Sequence, residues 1–86
     1  MNSKLTSAEY AQRVVDGHTK GIICSGEVWN QMIEHVTADT LEDYMVRLTP
    51  ELHAYLQRKM AHADVCTAQE HALLQLLRGW YEKRIA

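Results

Sequence analysis

The sequence predicts an all-α protein, a compact bundle of about five short helices that forms one domain over residues 1–86. Three observations predict this class. Helix-start signatures recur along the chain, apolar residues follow each of them at helical spacing, and no long segment alternates between apolar and polar residues as a half-buried strand would. The 86 residues fit one domain, because compact domains centre on roughly 100–150 residues.

The first helix is predicted to begin at Thr6. Thr6 and Glu9 have the spacing of a capping box, in which each side chain bonds the backbone amide of the other residue. Apolar residues follow at helical spacing: Tyr10, Ala11, Val14 and Val15. The helix is expected to end near Gly17 or Gly21, because glycine is the common residue just past a helix end.

The second, third and fourth helices are predicted to begin at Ser25, Asp39 and Thr49. Serine is a common N-cap residue, and Asp39 precedes Glu42 by three residues, as in a capping box. Thr49 is followed by a proline at the first helical position, where the missing N–H costs nothing. The apolar stretch 21–24 is too short for a typical strand and is expected to be a linker packed on the core.

The fifth helix begins at the signature Thr67–Glu70 and has the widest apolar face. Seven residues cover about half of its circumference: Leu73, Leu74, Leu76, Leu77, Trp80, Tyr81 and Ile85. Gly79 inside this helix costs up to about 1 kcal/mol against alanine, and close packing by a neighbour is the expected reason for it. Either this helix is the central element of the bundle, or part of its apolar face contacts another chain.

The second alternative gives the candidate interface residues, chosen because aromatic anchors dominate the energetics of protein interfaces. They are Leu73, Leu77, Trp80 and Tyr81. The partner would be another protein or a second copy of the chain, as in a homodimer. All four side chains would belong to the core under the first alternative.

Charge and hydropathy make nucleic acid and membrane poor partners. The formal net charge is −2, and the segment 27–43 contains five acidic residues and no Lys or Arg. An acidic second helix is unsuited to the major groove of DNA, and the acidic segment is either a solvated face or a docking surface for a basic partner. No apolar run approaches the roughly 20 residues of a membrane span, and no secretory signal is evident, so a cytoplasmic location is expected.

Histidine and cysteine residues supply the alternative function, metal binding. His62, Cys66 and His71 lie around the predicted turn between the fourth and fifth helices, and such side chains can bind zinc. The short fixed spacings of a zinc motif are missing, so no metal or other cofactor is predicted. In a reducing cytoplasm Cys24 and Cys66 are expected to be small buried side chains, with a disulfide between them as the alternative.

No catalytic residue is assigned. Cys24 precedes a helix start, and helix N-termini favour the reactive thiolate, but no nucleophile, base and stabilising group occur together. If the first helix continues past Gly17, His18 is expected to lie on its buried side and to have one hydrogen-bond partner. The sequence therefore favours a non-enzymatic helical module for protein interaction or regulation, including self-association, over an enzyme.

Overall fold

A computed structural model describes residues 5–62 and 67–85. Five helices follow one another: α1 (Ser7–Thr19), α2 (Ser25–His35), α3 (Leu41–Met45), α4 (Pro50–Ala61) and α5 (Ala68–Ile85). Within these two ranges there is no β-strand, which confirms the all-α class and the helix count. None of the described helices combines the length and the apolar character that crossing a bilayer requires.

Three of the predicted helix starts are confirmed by hydrogen bonds within the first turn. The Thr6 amide donates to the Glu9 carboxylate at 2.9 Å, and the Glu9 amide donates to the Thr6 hydroxyl at 3.1 Å. Thr67 and Glu70 exchange the same pair of bonds at 3.0 and 3.1 Å. The Thr49 hydroxyl accepts from a first-turn amide of α4 at 3.2 Å. These side chains satisfy amides that have no partner inside a helix.

For the other two helices, the residue predicted to be the N-cap is wrong by one position. Ser25 is already the first residue of α2, and the N-cap is Cys24, whose side chain makes no capping bond. The Ser25 hydroxyl instead lies 2.9 Å from Nε2 of His18, which is the partner expected for that histidine. The N-cap of α3 is Thr40 rather than Asp39, and its hydroxyl accepts from an amide three residues earlier at 2.8 Å. Both hydroxyls therefore bond outside their own helices.

The end of α1 depends on two glycines. Gly21 has a φ of 80°, and its amide donates to the His18 carbonyl at 3.0 Å. The Ile22 amide donates to the Gly17 carbonyl at 2.8 Å, which completes a Schellman motif. A Cβ on Gly17 would lie 2.5 Å from Cδ1 of Ile23, so this side chain occupies the space that the glycine leaves. As expected, the linker packs on the core, through Ile23.

One hydrophobic core joins the five helices. Its buried residues are Ala11, Val14, Val15, Val28, Trp29, Met32, Leu41, Tyr44, Met45, Leu48, Leu52, Leu56, Leu73, Leu74 and Leu77. Helix α2 contacts α1, α4 and α5, and α1 also packs on α3. Helix α5 contributes three leucines to this core, yet its Leu76, Trp80 and Tyr81 are only partly buried. Helix α2, which contacts three of the other helices, therefore has the central position in the bundle, and α5 packs mainly on α2.

Candidate functional site

The four candidate interface residues lie in two different environments. Leu73 and Leu77 are 3% and 0% exposed, so a partner that docks on the folded chain would not touch them. Trp80 and Tyr81 are partly buried and lie closer to the end of α5, about two helical turns after Leu73 and about one turn after Leu77. A contact surface on the folded chain would therefore be centred on the second half of α5.

Tyr81 is directed toward α4. Its hydroxyl lies 2.7 Å from Nδ1 of His53, and the two rings meet edge to face with centroids 5.8 Å apart. Burial raises the pKa of Tyr81 to about 12, and the hydroxyl is protonated at neutral pH. Burial also lowers the pKa of His53, against the opposing effect of a hydrogen bond with the Met45 backbone. Tyr81 therefore joins α5 to α4.

Trp80 is directed toward α3. Its indole N–H donates to one carboxylate oxygen of Glu42 at 2.7 Å, and the Arg84 guanidinium donates to the other oxygen at 2.7 Å. The same guanidinium lies 4.5 Å from the centroid of the indole ring, and the His53 ring is stacked on the indole at 5.9 Å. Glu42 thus fixes the orientation of both Trp80 and Arg84.

An open groove of about 480 Å³ lies next to this cluster, between α5 and the segment 38–42 that leads into α3. We call it the α3–α5 groove. Leu41, Leu76 and Trp80 supply its large apolar walls. Its charged lining comprises one carboxylate, Glu42, and two cations, Lys83 and Arg84. The mixture of an aromatic side chain, apolar walls and a charged rim is typical of protein-interaction surfaces.

Gly79 lies on the α5 side of the α3–α5 groove. The expectation that a neighbour packs closely against Gly79 is wrong, because no heavy atom of another described element lies within 4 Å of an added Cβ. Gly79 lines the groove instead. A side chain here would extend into open space, so packing within the described chain does not require glycine at this position.

A smaller polar cavity of about 150 Å³ lies between the start of α1, the end of α2 and α3. The Tyr10 hydroxyl donates to the Gln31 side chain and lies 3.2 Å from Nε2 of His35. Tyr44, which also lines the cavity, is 1% exposed, and its hydroxyl has no hydrogen-bond partner within the described part of the chain. Burial raises the pKa of Tyr44 to about 12.

The structure describes two of the three candidate metal ligands, His62 and His71. His62 is the exposed C-cap residue of α4, and Nε2 of His71 lies 3.2 Å from the Gln75 amide on α5. Cys66 lies outside the described residues, so metal binding by these three side chains stays a prediction. Among the residues of known placement, no three potential ligands form a metal-binding group. Cys24 is exposed rather than buried, because it lies in the surface connection before α2.

The groove is composed largely of residues that the sequence did not single out as a site. Glu42 and Trp80 are 38 positions apart, and no local pattern relates them. Comparison with protein-family models, with curated protein sequences and with solved structures gave no match. The class of protein is therefore defined by the geometry alone: a small all-α bundle with an open groove beside a partly buried tryptophan.

Proposed function

We propose that this chain is a small non-enzymatic protein-interaction module and that the α3–α5 groove is its contact surface. The observation that carries the proposal is Gly79. A glycine inside a helix destabilises it by about 1 kcal/mol relative to alanine, and nothing in the described bundle packs against this one. Glycine allows another backbone to approach closely, so a partner in the groove would supply the contact that the folded chain does not.

Trp80 is the anchor of the proposed surface. It is partly buried on the wall of the groove, and aromatic side chains in such positions contribute most to binding energy. The surrounding polar groups bond to one another and to the indole: Glu42 accepts from both Trp80 and Arg84. The tryptophan is therefore held in one orientation before a partner binds, which lowers the entropic cost of association.

Site-specific photo-cross-linking tests the proposal. A benzophenone side chain replaces Gln75 on the groove wall in one protein and Gln57, which is exposed on α4, in a control. We expect a protein adduct from position 75 that is absent from position 57. The adduct should disappear when Gly79→Leu fills the groove, with far-ultraviolet circular dichroism showing that the helices remain. An adduct that is unaffected by Gly79→Leu would contradict the proposal.

Self-association is a particular form of the same function. Native mass spectrometry of the purified chain would report self-association directly, as a dimer that Gly79→Leu converts to monomer.

We further propose a cytoplasmic location, supported by the exposed thiol of Cys24, because free exposed thiols persist in reducing compartments.

A further inference from the structure

The shape of the α3–α5 groove favours a helix as its occupant. The lining residues of α5 run from Gln75 to Arg84, which corresponds to about 14 Å or two and a half helical turns along the axis. Helix α5 forms one wall, and the turn before α3 forms the other together with the first two residues of α3. An extended peptide would find no strand edge to pair with, whereas a helix satisfies its own backbone. Gly79 on the α5 side would let the axis of such a helix come close to α5.

The charges of the groove favour acidic residues on that helix. Both carboxylate oxygens of Glu42 are engaged, one by Trp80 and one by Arg84. Lys83 has no acceptor among residues 5–62 and 67–85. The rim therefore has an excess of positive charge, although the whole chain has a formal net charge of −2. Acidic side chains of a partner would complement Lys83 and raise the rate of association.

A second copy of the chain does not supply this combination from its described residues. The large exposed apolar side chains are Leu5, Ile22 and Val46, and all three lie outside the helices. The acidic helix α2 buries its apolar face in the core. Resting on the proposed function, we infer that the α3–α5 groove binds an amphipathic helix of a different protein, with a small or apolar residue against Gly79 and acidic residues beside Lys83.

A displayed library of amphipathic helices tests this inference. The helices share an Ala/Leu seam, their flanking positions are randomised among Glu, Gln and Lys, and selection is made on the full chain. We expect enrichment of Glu, and we expect the selected helix to bind about threefold more weakly to Lys83→Gln and about tenfold more weakly to Lys83→Glu. Lys20→Glu is the matched control, because it makes the same change in net charge at an exposed position outside the groove.

The possible outcomes of the selection distinguish this inference from the proposed function on which it rests. The inference is supported if Glu is enriched and if binding of the selected helix is weakened by Lys83→Glu but not by Lys20→Glu. Binders that are blocked by Gly79→Leu but show no preference for Glu overturn the inference and leave the interaction surface in place. The proposed function itself is contradicted if the selected helices bind Gly79→Leu and the milder variant Gly79→Ala as tightly as they bind the wild type. A dimer of the purified chain that Gly79→Leu dissociates would assign the groove to a second copy.

Discussion

Alanine at two helical glycines, Gly79 and Gly17, should change the stability of this protein in opposite directions. No described neighbouring atom lies within 4 Å of a Cβ built on Gly79, so Gly79→Ala gains helix propensity without a clash. The expected gain is up to about 1 kcal/mol in the free energy of unfolding. For a domain of this size, that corresponds to a rise of roughly 4–8 °C in Tm.

Gly17→Ala adds the same methyl group at a closely packed position. Its Cβ would lie 2.5 Å from Cδ1 and 2.9 Å from Cγ1 of Ile23, so the isoleucine must move out of its packed position. Overpacking of this kind lowers the free energy of unfolding by about 1–3 kcal/mol, and the higher helix propensity of alanine offsets up to about 1 kcal/mol of this loss. We therefore expect Gly17→Ala to lower the free energy of unfolding by up to about 2 kcal/mol.

Urea unfolding followed by circular dichroism measures both effects, provided that the m-values of the proteins agree. The double variant Gly17→Ala/Ile23→Val, compared with Ile23→Val alone, shows whether the clash is the cause: without Cδ1, alanine at position 17 should cost less. The reasoning is refuted if Gly79→Ala is less stable than the wild type, or if Gly17→Ala is as stable as Gly79→Ala.

Three further changes test individual side chains. Tyr44→Phe should raise the free energy of unfolding by about 1 kcal/mol, because it removes a buried hydroxyl without a partner among the described residues. A lower Tm for this variant in thermal unfolding would show that the hydroxyl is bonded. Thr49→Ala should cost about 1 kcal/mol in urea unfolding, since it removes the cap of α4, and an unchanged midpoint would contradict this role. Burial lowers the pKa of folded His53 below its usual value of 6.5, so the unfolded chain binds its proton first as the pH falls. Stability should therefore fall below about pH 6.5, and His53→Asn should flatten that dependence; an identical pH profile for both proteins would contradict the assigned cause.

Local sequence signals predicted the helix starts where both bonding partners lie in one turn. The pairs at Thr6 and Thr67 are of this kind, and each threonine bonds a glutamate three residues later. Ser25 is also of a residue type common at N-caps, yet it has no glutamate three residues later, and its hydroxyl bonds His18, seven residues earlier on another helix. The local sequence pattern does not show that a side chain bonds another helix, and the N-cap predicted for α2 is therefore wrong by one position.

The candidate site could be predicted only in part for the same reason. Helical spacing identified the broad apolar face of α5 but could not separate the buried Leu77 from the partly buried Trp80. That separation depends on where Glu42 comes to lie, 38 residues before Trp80. The sequence alone shows that Gly79 lowers the stability of its helix relative to alanine. The open space beside Gly79 can be recognised only from the positions of the neighbouring helices in the structure.

The most direct test of the contact surface is the dissociation constant of the partner recovered by cross-linking at position 75. Isothermal titration calorimetry would compare the wild type with Gly79→Leu, after both have been shown to retain the same helical content. A partner that occupies the α3–α5 groove should bind the variant at least about tenfold more weakly, because the leucine fills the space beside Trp80. Equal dissociation constants for the two proteins would show that the groove is not the contact surface.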